Sequence, residues 1–452
     1  MSFFLTKVLA ALDEGGDRVL FHSGDGATTY HRARDRLRRL HGGLGDVGTL
    51  AVDLRNRPET VLVQLAALLR GATVLMVPAS APAADRLAAA SGTTVVTDRP
   101  QDWPAGDVRT LADLDGEPEP LNPPETVRLL FPTGGTTGTP KLIRHSGIYD
   151  GMAYIFTPAP DGPGRTLLVA PMTHMTGNAT VLGALLRHDT VVLHDGFDAA
   201  AVLDAIQTHR IDTLSLTPPR LAALLDHPQR PETDLTSVRS LSLGAAPLPP
   251  HRLVQALDVF GPVVGQGYGL TEAPMIASIS AAELIGHPER LGSVGRIVPG
   301  MEARITADGE VEVRGLAMMD GYLGGPEIGA GWLRTGDLGR FDDEGYLYLL
   351  DRADDVVVVG EHGTKVPTTV VEHALETHPA VRAAAVFGRG GLLRAVVVAT
   401  GAVTAADLKA HAWETFGQEH YVPAAVDFAD ALPLTDVGKV DKRALAQLVT
   451  AP

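Results

Sequence analysis

The stretch PTGGTTGTPK, from Pro132 to Lys141, holds three glycines and four threonines and closes on a proline and a lysine. Glycine frees the backbone to turn so that successive N–H groups converge on an anion, while threonine hydroxyls and a lysine add donors for phosphate oxygens. The same residues also suit an ordinary surface turn, so their order decides. A Walker A loop is not met, because Pro140 precedes Lys141 and Leu142 follows it. The dinucleotide fingerprint fails as well, since GQGYG sets Gly265, Gly267 and Gly269 at alternating positions. The stretch reads as a phosphate cradle outside both common nucleotide folds.

Around it, apolar helical patterns such as Ala200 to His209 alternate with short β-branched or leucine-rich runs at Thr166 to Ala170, Thr190 to Leu193 and Thr213 to Leu216. That alternation predicts an α/β fold with parallel and mixed sheets covered by helices. ARITADGEVEV, from Ala303 to Val313, turns on Asp308 and Gly309 and predicts a hairpin opening a strand-rich subdomain. The charged cluster Asp351, Arg352, Asp354 and Asp355 then interrupts the apolar pattern. A boundary there divides a large N-terminal domain, 1–353, from a small α/β C-terminal domain, 354–452. The length agrees, since 452 residues exceed one hydrophobic core.

The net charge of −16 opposes a polyanionic partner, so nucleic acid is not expected. The absence of cysteine excludes disulfides, thiolate zinc sites and a cysteine nucleophile. The N-terminus reads as an amphipathic helix rather than a signal peptide, because Lys7, Asp13 and Glu14 interrupt and follow its apolar run. The longest apolar region, TVLVQLAALLRGATVLMVP, contains Gln64, Arg70 and Gly71 and predicts a buried helix turning into a strand, not a membrane span. A cytoplasmic protein without membrane partners is the expectation.

PTGGTTGTPK closely resembles the phosphate loop of the adenylate-forming superfamily, which includes acyl-CoA synthetases, peptide-synthetase adenylation domains and luciferases. Gly134 stands where that family usually has serine, and Leu142 replaces a glycine. The resemblance assigns Thr133, Gly135, Thr136, Thr137, Gly138 and Lys141 to phosphate binding. GQGYGLTEA is similar to the segment in which an aromatic lies against adenine, a threonine meets the α-phosphate and a glutamate helps hold Mg²⁺. Those roles fall on Tyr268, Thr271 and Glu272, with Gln266 and Gly267 beside the adenine. LSLGAAPL resembles the adenine-side turn and brings in Gly244, Ala245 and Ala246. LRTGDLGRFDDEGYLYLLDR carries Asp337 where the family accepts both ribose hydroxyls, although an aspartate in TGD also suits a turn cap, and Arg352 follows. Asp351 replaces the usual glycine before that arginine, and Asp354 matches the hinge on which the small domain swings. LPLTDVGKVDKRAL resembles the C-terminal catalytic-lysine motif and places Lys439. Only six of the 38 basic residues are lysines, yet one falls at each family lysine position, where arginine cannot reproduce a compact point charge.

The chemistry this implies is attack of a carboxylate on the α-phosphate of ATP, with Mg²⁺ as cofactor, followed by transfer to CoA or to the thiol of a separate carrier protein. His174 in PMTHMTG resembles the gate between acid pocket and nucleotide, and equally reads as a packed core histidine. No aspartate lies between Met175 and Ala179 to pair with an α-ammonium, so a plain aliphatic or aromatic carboxylate is expected. GEHGTKVP is two residues longer than the family turn that faces the incoming thiol. Two alternatives remain open at this point: adenylation of nitrite for transfer to an aryl amine, and a nucleotide sensor without turnover.

Overall fold

The computed structural model describes residues 1–132, 141–360, 363–435 and 437–448. Among the described residues the large N-terminal domain is built on three sheets, and the smaller C-terminal domain on a two-stranded hairpin and a sheet of three strands. A seven-stranded sheet contains the parallel strands Thr49–Asp53, Thr73–Met76, Thr94–Thr97 and Arg128–Pro132. A nine-stranded sheet contains Arg165–Leu168, Thr190–Leu193, Thr213–Leu216, Ser240–Gly244 and Val264–Tyr268, also parallel. The expected helix-to-strand passage is present as the helix Pro58–Leu69 followed by Thr73–Met76.

The helices Phe3–Gly15, Tyr30–Leu44, Pro58–Leu69 and Met175–Leu186 bury their apolar faces in one continuous core shared by both sheets. Pro58–Leu69 is apolar nearly all round because it lies between two sheets, which explains the long hydrophobic run without a membrane. Local chemistry sets the helix ends. Asp198 accepts a hydrogen bond from Ala201 N at 2.8 Å and starts Ala199–His209, and Thr404 with Asp407 forms a capping box for Ala405–Phe416.

The hairpin expected around Asp308 and Gly309 is formed by Met301–Ile305 and Glu310–Gly315. It continues through Leu333–Phe341 and Leu347–Arg352 as a four-stranded antiparallel sheet with its own core. Beyond Arg352 come the hairpin Val357–Val359 with Thr364–Val366, the helix Thr368–Glu376, and the sheet of Val381–Arg389, Leu392–Ala399 and Ala425–Phe428 around a separate core. No helix among the described residues is long and apolar enough to cross a membrane.

Candidate active site

In both parallel sheets the chain doubles back across a neighbouring strand, and ligands of such sheets bind beyond the carboxyl ends where the winding reverses. Here those ends converge on one cavity of about 510 Å³. Leu54 to Asn56 and Ala79 to Ser80 come from the seven-stranded sheet, and Pro171, Thr173, Asp195 to Phe197 and Pro219 to Arg220 from the nine-stranded one. Leu434, Thr435 and Gly438 of the small domain close it.

Asn56 ties the two sheets together at this point. Its amide nitrogen donates to Ala170 O and His194 O at 2.9 and 3.0 Å, and its carbonyl accepts from Met172 N at 2.8 Å. Asn178 Nδ2 donates to Oε1 of the buried Gln64 at 2.7 Å and to Met172 O at 3.2 Å. The PMTH turn is therefore held from both sides, and His174 occupies the start of the helix Met175–Leu186, half-buried and next to the cavity-lining Thr173.

The wall between the nine-stranded sheet and the hairpin sheet is a hydrogen-bonded chain. Tyr268 Oη donates to Asp337 Oδ2 at 2.5 Å, and Arg352 Nη1 donates to Asp337 Oδ1 at 3.0 Å and to Thr335 O at 2.9 Å. Asp337 and Arg352 are direct cross-strand partners, which fixes the pair by register. Gly336 lies at φ 75°, and a Cβ there would stand 2.8 Å from the Arg352 guanidinium, so glycine is required. Burial, then Asp337, raises the Tyr268 pKa and keeps its hydroxyl a donor. The ring itself is buried in the core of the hairpin sheet. Its hydroxyl steadies the Asp337 carboxylate.

The turn carrying Thr271 and Glu272 is pinned from below. His145, buried beneath it, lies 2.7 Å from Thr271 O through Nε2, and burial lowers its pKa so that the ring is neutral with Nε2–H as donor. Met319 N donates to Glu272 O at 2.7 Å, and Tyr322 Oη donates to Glu272 Oε1 at 3.1 Å. Burial and Glu272 together push the Tyr322 pKa up to about 12. Lys141 Nζ sits 5.0 Å from the centroid of the same tyrosine ring, which brings the lysine of the cradle and the glutamate of the turn to one tyrosine.

Lys439 belongs to a tight loop in which Thr435 N donates to Lys439 O at 2.8 Å and Gly438 N to Thr435 O at 2.8 Å. The loop docks on the large domain where the buried Thr217 hydroxyl donates to Gly438 O at 3.1 Å. Gly438 has φ 79°, and a Cβ would come within 2.7 Å of Thr217 Oγ1 and 2.8 Å of Arg220 Nε. Any side chain there would hold Lys439 away. In place, Lys439 keeps solvent access while facing the cleft: desolvation lowers its pKa, Asp337 and Glu272 oppose that, and Arg352 adds to it.

The remaining sequence expectations fall as follows. Gly244 ends its strand beside Gly267, and Ala245 follows at φ 68°, an uncommon left-handed conformation for a residue with a side chain. Ala246 continues that turn, and Gln266 is buried with Oε1 unpartnered among the described residues. Thr133, Gly135, Thr136, Thr137 and Gly138 lie outside the described residues, as do Glu361 and His362 of the longer turn. Asp354 follows the last strand of the hairpin sheet. Asn56, His145, Thr217 and Tyr322 were not anticipated, because each acts through a partner distant in sequence.

No cluster of three or more histidine, aspartate or glutamate side chains among the described residues suits a metal ion. Mg²⁺ commonly takes one carboxylate and the phosphates of its substrate. Glu272, held by Tyr322 through one oxygen, fits that limited part.

The AMP-binding enzyme model matches residues 10–323, and the AMP-binding enzyme C-terminal domain model matches residues 370–439. The medium/long-chain-fatty-acid–CoA ligase FadD8 of Mycobacterium tuberculosis is 35% identical over 73% of this chain, which spans 63% of that relative. A feruloyl-CoA synthase from Amycolatopsis sp is 31% identical, with 93% of each chain covered. The structure of the amide bond synthetase McbA from Marinactinospora thermotolerans superposes with a TM-score of 0.85 at 30% identity, over 99% of this chain and 100% of that one. The chain belongs to the AMP-binding family of adenylate-forming enzymes.

Proposed function

We propose that the chain activates a plain aliphatic or aromatic carboxylic acid as its adenylate and passes the acyl group to the thiol of CoA or of a separate carrier protein. The observation that carries this reading is the docked Lys439 loop, which sets an ammonium toward the cleft walled by Asp337, Arg352 and Glu272.

Both reactants are anions, so approach is opposed until a cation stands between them. Lys439 bridges the attacking carboxylate oxygen and the α-phosphate, and stabilises charge that grows as the new P–O bond forms and the bond to pyrophosphate breaks. Thr271 donates to the α-phosphate. Asp337 accepts from the ribose hydroxyls while Arg352 and Tyr268 hold its orientation. Gly244 to Ala246, Gln266 and Gly267 border the adenine, and the loop from Thr133 to Gly138 with Lys141 takes the departing phosphates. Bound Mg²⁺, with Glu272 as its protein ligand, would neutralise phosphate charge.

In the second step a thiolate attacks the acyl carbonyl and AMP leaves, with His174 beside the route. Domains of 1–353 and 354–452 swinging at Asp354 account for both steps. The absence of a carboxylate between Met175 and Ala179 supports an acid without an α-ammonium. A nitrogen acceptor is the second reading, supported by the full-length likeness to an amide bond synthetase. The relatives favour neither nitrite nor a non-catalytic sensor.

The test is pyrophosphate release from Mg-ATP across aliphatic, aryl and amino acids and nitrite, each with CoA, a carrier protein or an aryl amine. Acid-dependent release is expected for aliphatic or aryl acids. Tight ATP binding without release on any acid overturns the proposal.

A further inference from the structure

The helix Thr368–Glu376 of the small domain begins at Pro367, which supplies no capping side chain. Its first backbone N–H groups still need acceptors. They find one in the other domain. Asp351, on the last strand of the hairpin sheet, accepts from Thr368 N through Oδ2, from Thr368 Oγ1 at 2.9 Å and from Thr369 N at 3.4 Å, and through Oδ1 from Thr369 Oγ1 at 3.2 Å. Asp351, Thr368 and Thr369 are all buried. The carboxylate sits at the positive end of the helix, where negative charge is stabilised.

The same contact continues to the catalytic loop. Lys442, three residues beyond Lys439, donates to Thr368 Oγ1 at 2.8 Å and pairs with Asp355 at 3.4 Å and Glu372 at 3.3 Å. A path of hydrogen bonds thus runs from Asp351 through Thr368 and Lys442 to the segment that carries Lys439. A small domain that turns about Asp354 carries Thr368 and Thr369 away from Asp351, because the strand Leu347–Arg352 remains with the large domain. Where relatives of this family usually have a glycine, no such cap can form.

We infer that Asp351 is a positioning residue that holds the small domain in the adenylate-forming arrangement, favouring the first half-reaction and slowing the second. This rests on the reading of the cleft given above. Loss of an N-cap shifts an equilibrium by about 5- to 30-fold, so Asp351→Gly moves the ratio of docked to swung arrangements by that factor. The Asp351 oxygens are spent on Thr368, Thr369 and the backbone N–H of Arg352, and the expected effect is on rates rather than on the KM for ATP.

The experiment has a chemical and a physical arm. With an acid identified by pyrophosphate release, ATP–pyrophosphate exchange falls in Asp351→Gly, by at most about 30-fold, and single-turnover transfer from preformed acyl-adenylate to the acceptor rises. Asp351→Asn, which keeps one acceptor oxygen, recovers part of both. The chain has no cysteine, so spin labels on Asp258→Cys and Glu414→Cys, exposed on the large and small domains, report the domain distance directly. One dominant distance is expected with Asp351 present and a second with Asp351→Gly.

Exchange and transfer falling together, or an unchanged distance distribution, overturns the inference. If Asp351→Gly does not fold, Thr368→Val with Thr369→Val removes the hydroxyls from the opposite side and must show the same second distance. Should no acid be turned over, the proposed chemistry fails while the distance measurement still decides the role of Asp351.

Discussion

The two walls of the cleft are built differently. On the large-domain side, Tyr268, Asp337 and Arg352 sit on regular strands and are closed on one another by hydrogen bonds and register. Opposite them, Lys439 rides on an irregular loop that meets the large domain through Gly438 and the Thr217 hydroxyl. One wall is finished by folding, whereas the other is delivered by docking. Under the proposed mechanism, groups that bind ground-state nucleotide gain from rigidity, and the group that acts on the transition state depends on a domain arrangement that turnover has to undo.

The sharpest way to break that contrast is Lys439→Ala. Loss of a preorganised donor costs about two to three orders of magnitude in rate, roughly 3–4 kcal/mol. ATP–pyrophosphate exchange is expected to fall by that amount, while ATP titration of the same variant stays near normal because the finished wall is untouched. Near-normal exchange would remove Lys439 from the mechanism.

Asp337→Ala attacks the other wall and should do the reverse. It strips Arg352 of its carboxylate and Tyr268 of its acceptor, and hydrogen bonds to charged groups are worth about 1.5–3 kcal/mol. A weakening of ATP binding by about 10- to 100-fold is expected, with a smaller change in the rate at saturating ATP. A pure rate effect with unchanged affinity would mean that the wall does not hold the ribose.

The same contrast explains what could be read from the sequence. Lys439, Asp337, Arg352, Thr271 and Glu272 each lie in a short motif whose chemistry is local, and the structure brings them to one cleft. Their supports are not local. His145 acts on Thr271 across 126 positions, Asn56 on Met172 across 116 and Thr217 on Gly438 across 221, and a lone polar residue says nothing of a partner that far away. Asp351 was visible as a departure from glycine, but the missing cap it replaces became legible only when Pro367 was seen to begin a helix. The alternating strands and helices were legible because period and turn chemistry are properties of neighbours. That two sheets would share one core and aim their carboxyl ends at one cavity was not.

The small domain also has a pH dependence of stability, carried by the helix Thr368–Glu376. Burial pushes the Glu376 pKa from 4.5 up to about 8, with Glu372 adding to it and Ala384 N and Arg252 opposing, and burial lowers His373 from 6.5 to about 4. A raised carboxyl contributes stability that is present below its unfolded value and lost as pH rises to the folded one. A lowered histidine contributes stability present above 6.5 and lost as pH falls toward 4. The two trends oppose each other between 4.5 and 6.5, and above 6.5 Glu376 acts together with Glu372, whose pKa burial also raises, so stability declines toward pH 8. The share of Glu376 in that decline is about 2 kcal/mol over the interval. Melting curves of Glu376→Gln should show a shallower decline, and an equal decline in that variant would assign the pH dependence elsewhere.

The smallest effect belongs to Thr217→Val, which is also the cleanest probe of docking. Thr217 occupies the N-cap position of the helix Pro218–Leu225, yet its side chain makes no capping bond there. Its hydroxyl is spent across the domain boundary on Gly438 O instead. Valine keeps the shape, leaves the helix start as it was and orphans only that carbonyl, at a cost of about 1 kcal/mol, or roughly 5-fold in the ratio of docked to swung arrangements. Adenylation should therefore slow by at most about 5-fold at saturating ATP, with the KM for ATP unchanged and the melting temperature of the large domain barely moved. If affinity and rate drop together, Thr217 belongs to the finished wall and the contrast between the two walls is drawn in the wrong place. If the rate alone drops, the docked loop limits the chemistry even when every group that touches nucleotide is intact.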